Sequence, residues 1–261
     1  MARLDAELVA RGIARSRERA KEMIKAGVVT VNGRTAKKPS DETFPEDVVQ
    51  SAETEQYVGR GALKLEKAAE VFRLDFNGKR CLDIGASTGG FTEYMLRHGA
   101  EKVYAVDVGH GQLAGTLRAD SRVVNMENTD IRTVMAEELD GGVDFICADV
   151  SFISLTKILP KIAELLKDGG TAAVLIKPQF EAGKSCIGKK GIVKDRKVHV
   201  RVLEEMDESI RLTGLAPVSF TYSPVKGGSG NIEYLAELRK NYELPPKADL
   251  RTLVDEAFSR L

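Results

Sequence analysis

The stretch Cys81-Leu82-Asp83-Ile84-Gly85-Ala86-Ser87-Thr88-Gly89-Gly90-Phe91 decides the fold. A short apolar run ends in glycines, and a helix opens near Phe91. That is a buried strand delivering its carboxyl end to a ligand loop, as in open parallel sheets. A dinucleotide loop would read G-x-G-x-x-G. Here Ala86, Ser87 and Thr88 separate Gly85 from the Gly89-Gly90 pair, and Asp83 stands two positions before the first glycine. A carboxylate there is misplaced beside a pyrophosphate and suits a cationic amino-acid moiety. S-adenosylmethionine carries an ammonium, a sulfonium and a ribose diol but no phosphate, so the spacing favours it. Asp83, Gly85, Ala86, Ser87, Gly89, Gly90 and Phe91 are the expected cofactor loop.

Outward from this loop, helices and strands alternate. Leu63 to Phe72 reads as a helix before the loop. Strands are expected at Arg80–Ile84, Val103–Val106, Val123–Asn125, Phe145–Ala148 and Ala172–Ile176, with helices between them, including Leu155–Leu166 and Val198–Thr213. Alternation of this kind predicts a parallel sheet covered on both faces. Val218–Tyr222 and Ile232–Leu238, joined by Gly227-Gly228-Ser229-Gly230, read as an antiparallel hairpin. The fold class is therefore α/β, a Rossmann-like sheet with a C-terminal antiparallel hairpin. Asp107 ends the second strand, where an acid can accept from both ribose hydroxyls. Asp130 follows the third strand and can reach an adenine amine.

The fourth and fifth strands end in Asp149-Val150-Ser151-Phe152 and Lys177-Pro178-Gln179-Phe180-Glu181. A lysine at the end of a buried strand is costly unless paired, and Asp149 is the expected partner. Lys64, on the preceding helix, and Glu233, on the final strand, can join them.

The N-terminal stretch differs. Residues 1–38 hold ten basic residues against four acidic ones, although the whole chain has a net charge of zero. Leu4, Leu8 and Val9 share a helical face, and Gly12 breaks that helix. Ser16 caps a second helix with an apolar face at Ala20, Met23 and Ile24, which Gly27 ends. Val28, Val29 and Val31 read as a strand, and Asn32-Gly33 as a hairpin turn. Residues 39–56 turn acidic and close a small α+β domain with a further strand. Gly59-Arg60-Gly61 reads as a hinge. The expected division is 1–58 for a small RNA-binding domain, 59–241 for the sheet domain and 242–261 for a C-terminal helical tail.

Cys81, Cys147 and Cys186 have no paired spacing, which fits a reducing compartment. There is no apolar leader at Met1 to Asp5 and no apolar run of the ~20 residues needed to span a bilayer. A cytoplasmic protein is expected.

At Lys64, Asp149, Lys177 and Glu233 the chain resembles the K-D-K-E tetrad of FtsJ-type ribose 2′-O-methyltransferases. The motifs Arg60-Gly61-Ala62-Leu63-Lys64-Leu65, Asp83 to Thr92, Asp149 to Ser154, Lys177 to Glu181 and Gly230-Asn231-Ile232-Glu233 are similar to the TlyA (hemolysin A) family of that group. The resemblance covers nearly the whole chain. It implies an S-adenosylmethionine-dependent enzyme that methylates a ribose, as 2′-O-methylcytidine, in ribosomal RNA. Its partners would be ribosomal RNA or ribosomal subunits, with no membrane and no metal required. Lys64, Asp149, Lys177 and Glu233 would be the catalytic set. Lys177, tuned by burial and neighbours, would take the hydroxyl proton or stabilise the developing alkoxide. Asp149 and Glu233 would orient the lysines, and Lys64 would fix the ribose or its phosphate.

The N-terminal segment resembles the RNA-binding module of ribosomal small-subunit protein four, with Arg3, Arg15, Arg17 and Lys21 facing phosphates. Arg60, Lys189 and Lys190 are the expected RNA contacts of the larger domain. Residues 183–201 read either as an RNA-gripping mobile flap or as a solvated loop, and His199 as an ordinary residue. Three rival functions are disfavoured. A membrane-active hemolysin lacks a signal or span. A base methyltransferase would carry an N/D-P-P-Y/F-type motif where Asp149-Val150-Ser151-Phe152 stands. A non-catalytic ribosome factor would not need an intact cofactor loop and tetrad.

Overall fold

The computed structural model describes residues 2–14, 16–51 and 57–261. The chain forms two compact units, Met1–Gln56 and Tyr57–Leu261.

The first unit contains β1 (Ala2–Arg3), α1 (Leu4–Ala10), α2 (Arg17–Lys25), β2 (Val29–Val31), β3 (Arg34–Thr35), β4 (Glu42–Thr43) and β5 (Val49–Ser51). Ser16 caps α2, its side chain accepting from Arg19 N. Leu4, Leu8, Ala20, Met23, Ile24 and Val29 form the core between the two helices and the sheet. β2 is the central strand, with β3 on one side and β5 on the other. The Asn32-Gly33 turn joins β2 to β3 with φ of 51° and 76°, both in the left-handed region that a two-residue hairpin demands.

The second unit is built on α3 (Ala62–Phe72), β6 (Arg80–Ile84), α4 (Gly90–Arg97), β7 (Lys102–Val106), α5 (Gly115–Arg118), β8 (Val123–Met126), β9 (Val143–Ala148), α6 (Leu159–Leu165), β10 (Leu166–Ile176), α7 (Pro178–Glu181), α8 (Arg196–Leu212), β11 (Leu215–Tyr222), β12 (Tyr234–Lys240) and α9 (Leu250–Arg260). Its sheet runs β11-β12-β10-β9-β6-β7-β8. β6 to β10 are parallel, and β12 is antiparallel to both β10 and β11. Successive strand residues feed opposite faces, as the pleat requires. Cys81, Val103, Ala105, Phe145 and Cys147 pack with α3 and α4. Leu82, Tyr104, Ile146 and Val174 pack on the face covered by α6, α8 and α9.

Two elements differ in kind from the sequence reading, and the final strand begins at Tyr234, one residue after Glu233, which was expected on it. The helix expected at Leu155–Leu166 is a 3₁₀ turn (Leu155–Lys157) followed by α6, and Leu166 already belongs to β10. Pro160 has no N–H to donate and is tolerated only in a first helical turn, so the chain restarts there. The C-terminal helix is part of the second unit, not a tail: Leu250, Val254 and Ala257 are buried in the same core as the sheet. Among the described residues, no helix is long and apolar enough to cross a membrane.

Candidate functional site

β6 and β9 are neighbours whose chains depart to opposite flanks of the sheet, which leaves a crevice above their carboxyl ends. The backbone crosses itself there. Asp149 N donates to Ile84 O at 2.9 Å, and a Cβ on Gly85 would lie 2.6 Å from Asp149 O. Only glycine fits this crossing. The Gly59-Arg60-Gly61 segment is not a hinge. It is wedged against the same loop, because a Cβ on Gly59 would meet Thr88 Oγ1 at 2.4 Å, and one on Gly90 would meet Gly59 O at 3.0 Å.

The three strand-end acids line this crevice. Asp83 is buried, and its Oδ2 accepts from Thr92 N (2.9 Å) and Thr92 Oγ1 (2.7 Å) at the start of α4. Burial pushes its carboxyl up to about 7, against the pull of these donors. Asp107 Oδ2 accepts from Ser87 N and its Oδ1 from Gly109 N, both at 2.7 Å. Asp130 caps the 3₁₀ turn Ile131–Thr133 and is gripped by the Arg132 guanidinium, which holds its carboxyl down to about 2. Arg132 was missed in the sequence, as was Glu127, whose Oε1 accepts from Leu113 N at 3.1 Å and fixes the loop after β7.

A cavity of about 480 Å³ is lined by Val106, Asp107, Val108, Asp130 and Ile131. A second, of about 190 Å³, is lined by Arg60, Lys64, Asp83, Ala86, Phe91 and Lys226. Gly85, Ser87 and Asp149 belong to both, so the two are adjoining parts of one crevice.

The tetrad closes the crevice. Lys177 Nζ lies 2.5 Å from Asp149 Oδ1, and Lys64 Nζ lies 3.0 Å from Asp149 Oδ2 and 2.7 Å from Glu233 Oε2. The four side chains thus form one chain of alternating charge, nearly dry, with Lys177 6% and Glu233 2% exposed. Burial alone would depress the Lys64 ammonium, but the facing carboxylates of Asp149 and Glu233 outweigh it and hold the group above its ordinary value. Burial alone would raise Asp149, and the two ammonium groups bring it below the usual carboxylate range.

Several supporting residues escaped the sequence reading. Ser151 Oγ accepts from Lys177 Nζ at 3.0 Å, and Gln179 Nε2 donates to Glu233 Oε1 at 3.3 Å. Glu181 accepts from Ser154 Oγ and Leu155 N, locking the loops after β9 and β10 together. A Cβ on Gly227 would strike Glu233 Oε1 at 2.3 Å. Phe152 is 93% exposed, holds a φ of 65°, and lies 5.4 Å from the Phe180 ring, centroid to centroid. A bulky residue rarely adopts that conformation.

Of the expected RNA contacts, Arg3, Arg17 and Lys21 are exposed on the first unit, and Arg15 lies outside the described residues. Arg3 and Arg17 also clasp the fully buried Asp5, at 3.1 and 2.9 Å. In the second unit Arg60, Lys189 and Lys190 are exposed, and among the described residues they have no acidic partner; the same holds for Lys184, Lys194 and Lys226. His199 is buried against Tyr234 and Val193.

The crevice suits one kind of small molecule. A pyrophosphate would need free amides where Asp107 already takes the Ser87 and Gly109 N–H groups. A cation and a ribose diol meet carboxylates instead. With its sheet order, this makes the chain a Rossmann-like S-adenosylmethionine-dependent methyltransferase. The family of the FtsJ-like methyltransferase matches residues 57–240 and the S4 domain matches residues 2–49, and the chain belongs to the FtsJ-like methyltransferase family. It is 45% identical over 241 residues to the 16S/23S rRNA (cytidine-2′-O)-methyltransferase TlyA of Mycobacterium tuberculosis, covering 91% of this chain and 90% of that protein. It is 43% identical over 235 residues to Hemolysin A of Brachyspira hyodysenteriae, covering 90% and 98%. A solved structure from Streptococcus thermophilus superposes with a TM-score of 0.77 at 41% identity, over 99% of this chain and 96% of that one.

Proposed function

We propose that the chain transfers the methyl group of S-adenosylmethionine to a ribose 2′-hydroxyl, a cytidine's, in ribosomal RNA, acting on ribosomal subunits in the cytoplasm. The observation that carries this reading is the buried Lys177–Asp149–Lys64–Glu233 relay at the mouth of the cofactor crevice. The substrate is the one named for the M. tuberculosis relative, and the S4 domain supports an RNA partner.

S-adenosylmethionine, when bound, supplies an electrophilic methyl group on a sulfonium. Asp107 would accept from its ribose hydroxyls, Asp83 would face its cationic amino-acid end, and Asp130 would lie at its adenine. The tetrad handles the proton. A ribose hydroxyl is barely ionised at neutral pH, so the oxygen must lose its proton as it gains carbon. Lys64 sits between two carboxylates and stays an ammonium. Lys177 faces one carboxylate and the Ser151 hydroxyl, and once its own proton has passed to solvent its amine takes the proton of the ribose hydroxyl. Each proton that it gains restores neutrality to two ammonium and two carboxylate groups, which a dry site favours. Lys64 and Glu233 keep Asp149 in place for Lys177. The exposed Arg60, Lys189 and Lys190 would hold phosphates near this mouth.

Lys177→Ala tests the reading. Single-turnover transfer of labelled methyl to ribosomal subunits should fall by ~10²–10⁴, with cofactor and subunit binding retained. In the wild type the mark should block alkaline cleavage of the adjacent phosphodiester. Near-normal transfer by the variant, or a label on a base, would overturn the assignment.

A further inference from the structure

Asn231 stands two residues before Glu233 and takes no part in the tetrad. It is 1% exposed. A primary amide so deeply buried is costly unless both its ends are satisfied. Both ends are spent on one segment: Oδ1 accepts from Val193 N at 3.0 Å, and Nδ2 donates to Gly191 O at 2.9 Å. That segment is a tight turn, with Gly188 N donating to Ile192 O and Gly191 N donating to Gly188 O. Lys189 and Lys190 form its tip, both exposed. The backbone of Asn231 meanwhile closes a second turn, its carbonyl accepting from Gly227 N at 2.9 Å. This is the turn in which only a glycine at position 227 leaves room for the Glu233 carboxylate. A second pin supports the first. Val193 O lies 3.0 Å from His199 Nε2, and His199 Nδ1 lies 2.9 Å from the hydroxyl of Tyr234, the residue after Glu233.

We propose that Asn231 is a positioning residue that joins the Lys189-Lys190 turn to the Gly227–Gly230 turn, so that the charges gripping the substrate and the carboxylate completing the tetrad move as one body. The inference rests on the reading of Lys189 and Lys190 as phosphate contacts. With a free loop the lysines would have to be ordered anew at each binding event, which would weaken both their phosphate contacts and the registry of the ribose against Lys177. The clamp converts phosphate binding into alignment, where a displacement of ~1 Å costs about 10²-fold in rate. The segment read in the sequence as a mobile flap or a solvated loop is, on this view, fixed to the turn that leads into Glu233. Its glycines serve the turn: Gly191 has a φ of 75°.

A double-mutant cycle tests it. Asn231→Ala, Lys189→Ala/Lys190→Ala and the triple variant are compared in subunit affinity against salt, in KM and kcat for subunits, and in cofactor affinity. If the two sites act as one body, Asn231→Ala raises KM for subunits about tenfold and flattens the salt dependence by roughly 0.7–0.9 log units per lost phosphate contact. The triple variant is then no weaker in affinity than the lysine pair. Cofactor affinity is unchanged. Amide exchange at Val193 speeds up in Asn231→Ala while the sheet stays protected. Additive losses, or an unchanged KM and salt slope, overturn the proposal. A melting temperature that falls without these effects makes Asn231 merely structural and overturns it too. Where Asn231→Ala does not fold, Asn231→Asp carries the same cycle, since it keeps an acceptor for Val193 and loses the donor to Gly191. If wild-type protein shows no salt-dependent subunit binding, the functional reading fails and this inference falls with it. If wild type binds and the cycle is additive, only this inference fails.

Discussion

Lys64 and Glu233, 169 residues apart in the chain, meet at 2.7 Å where almost no water reaches them. The pair ties the first helix of the sheet domain to the residue that leads into its last strand. Removing one partner strands the other charge in a dry site, a loss of about 3–5 kcal/mol. Lys64→Met should therefore lower the urea midpoint of this domain markedly, and adding Glu233→Gln should restore part of it. A Lys64→Met protein as stable as wild type would show that water reaches the site after all.

Asp83 gives the crevice a pH dependence. Its folded carboxyl is pushed up to about 7 by burial, above an unfolded value of about 3.9. The folded state thus prefers the protonated form. Its contribution is fully present below about pH 4 and is lost as pH rises towards 7. Cofactor-free protein should lose stability between about pH 4 and 7, and Asp83→Asn should flatten that loss. A cationic ligand favours the ionised form, so cofactor affinity should climb over the same window in wild type and not in the variant. Titration calorimetry at several pH values checks both, and a flat wild-type profile would remove Asp83 from the cofactor's cationic end.

In the RNA-binding unit the sign reverses. The Arg3 hydrogen bond, opposed by burial and helped by Arg17, holds Asp5 down to about 2. Its stabilisation is present above about pH 4 and is lost as pH falls towards 2. Asp5→Asn should destabilise this unit at neutral pH and weaken its acid transition. Arg17→Ala consequently mixes lost RNA contact with a loosened core. Lys21→Ala is the cleaner probe, expected to flatten the salt dependence of subunit binding by about 0.7–0.9 for one phosphate.

Phe152 presents an exposed ring on a left-handed backbone beside Phe180, whose ring lies 5.9 Å from Lys177 Nζ. A splayed base stacked there would gain ~1–3 kcal/mol. Phe152→Ala should reduce kcat/KM for subunits about tenfold or more, leave cofactor affinity untouched, and not lower stability. Phe152→Gly, which relieves the backbone, should melt higher. A drop in melting temperature with full activity would make the ring a packing residue.

Strand ends were legible because acids and glycines at those positions have few other reasons to follow apolar runs. The tetrad members were legible through their motifs. What stayed hidden depends on neighbours far away in sequence. Nothing local says that Gly59 must clear Thr88 or that Gly85 lies under Asp149. Asn231 reads as part of a motif, and only the fold shows its amide gripping Gly191 and Val193. Arg17 reads as an RNA contact because charge is visible in sequence, whereas its hold on Asp5 is a tertiary fact.

The place of β12 between β10 and β11 has a consequence during synthesis. Glu233, the residue just before the strand that fills that slot, is translated long after the S4 unit. At ~5–20 residues per second, roughly ten seconds or more separate the two. A nascent chain can thus offer a folded RNA-binding module while the slot is vacant and Lys64 has only Asp149 for company. Ribosomes stalled in this interval would carry a chain able to grip RNA and unable to mark it.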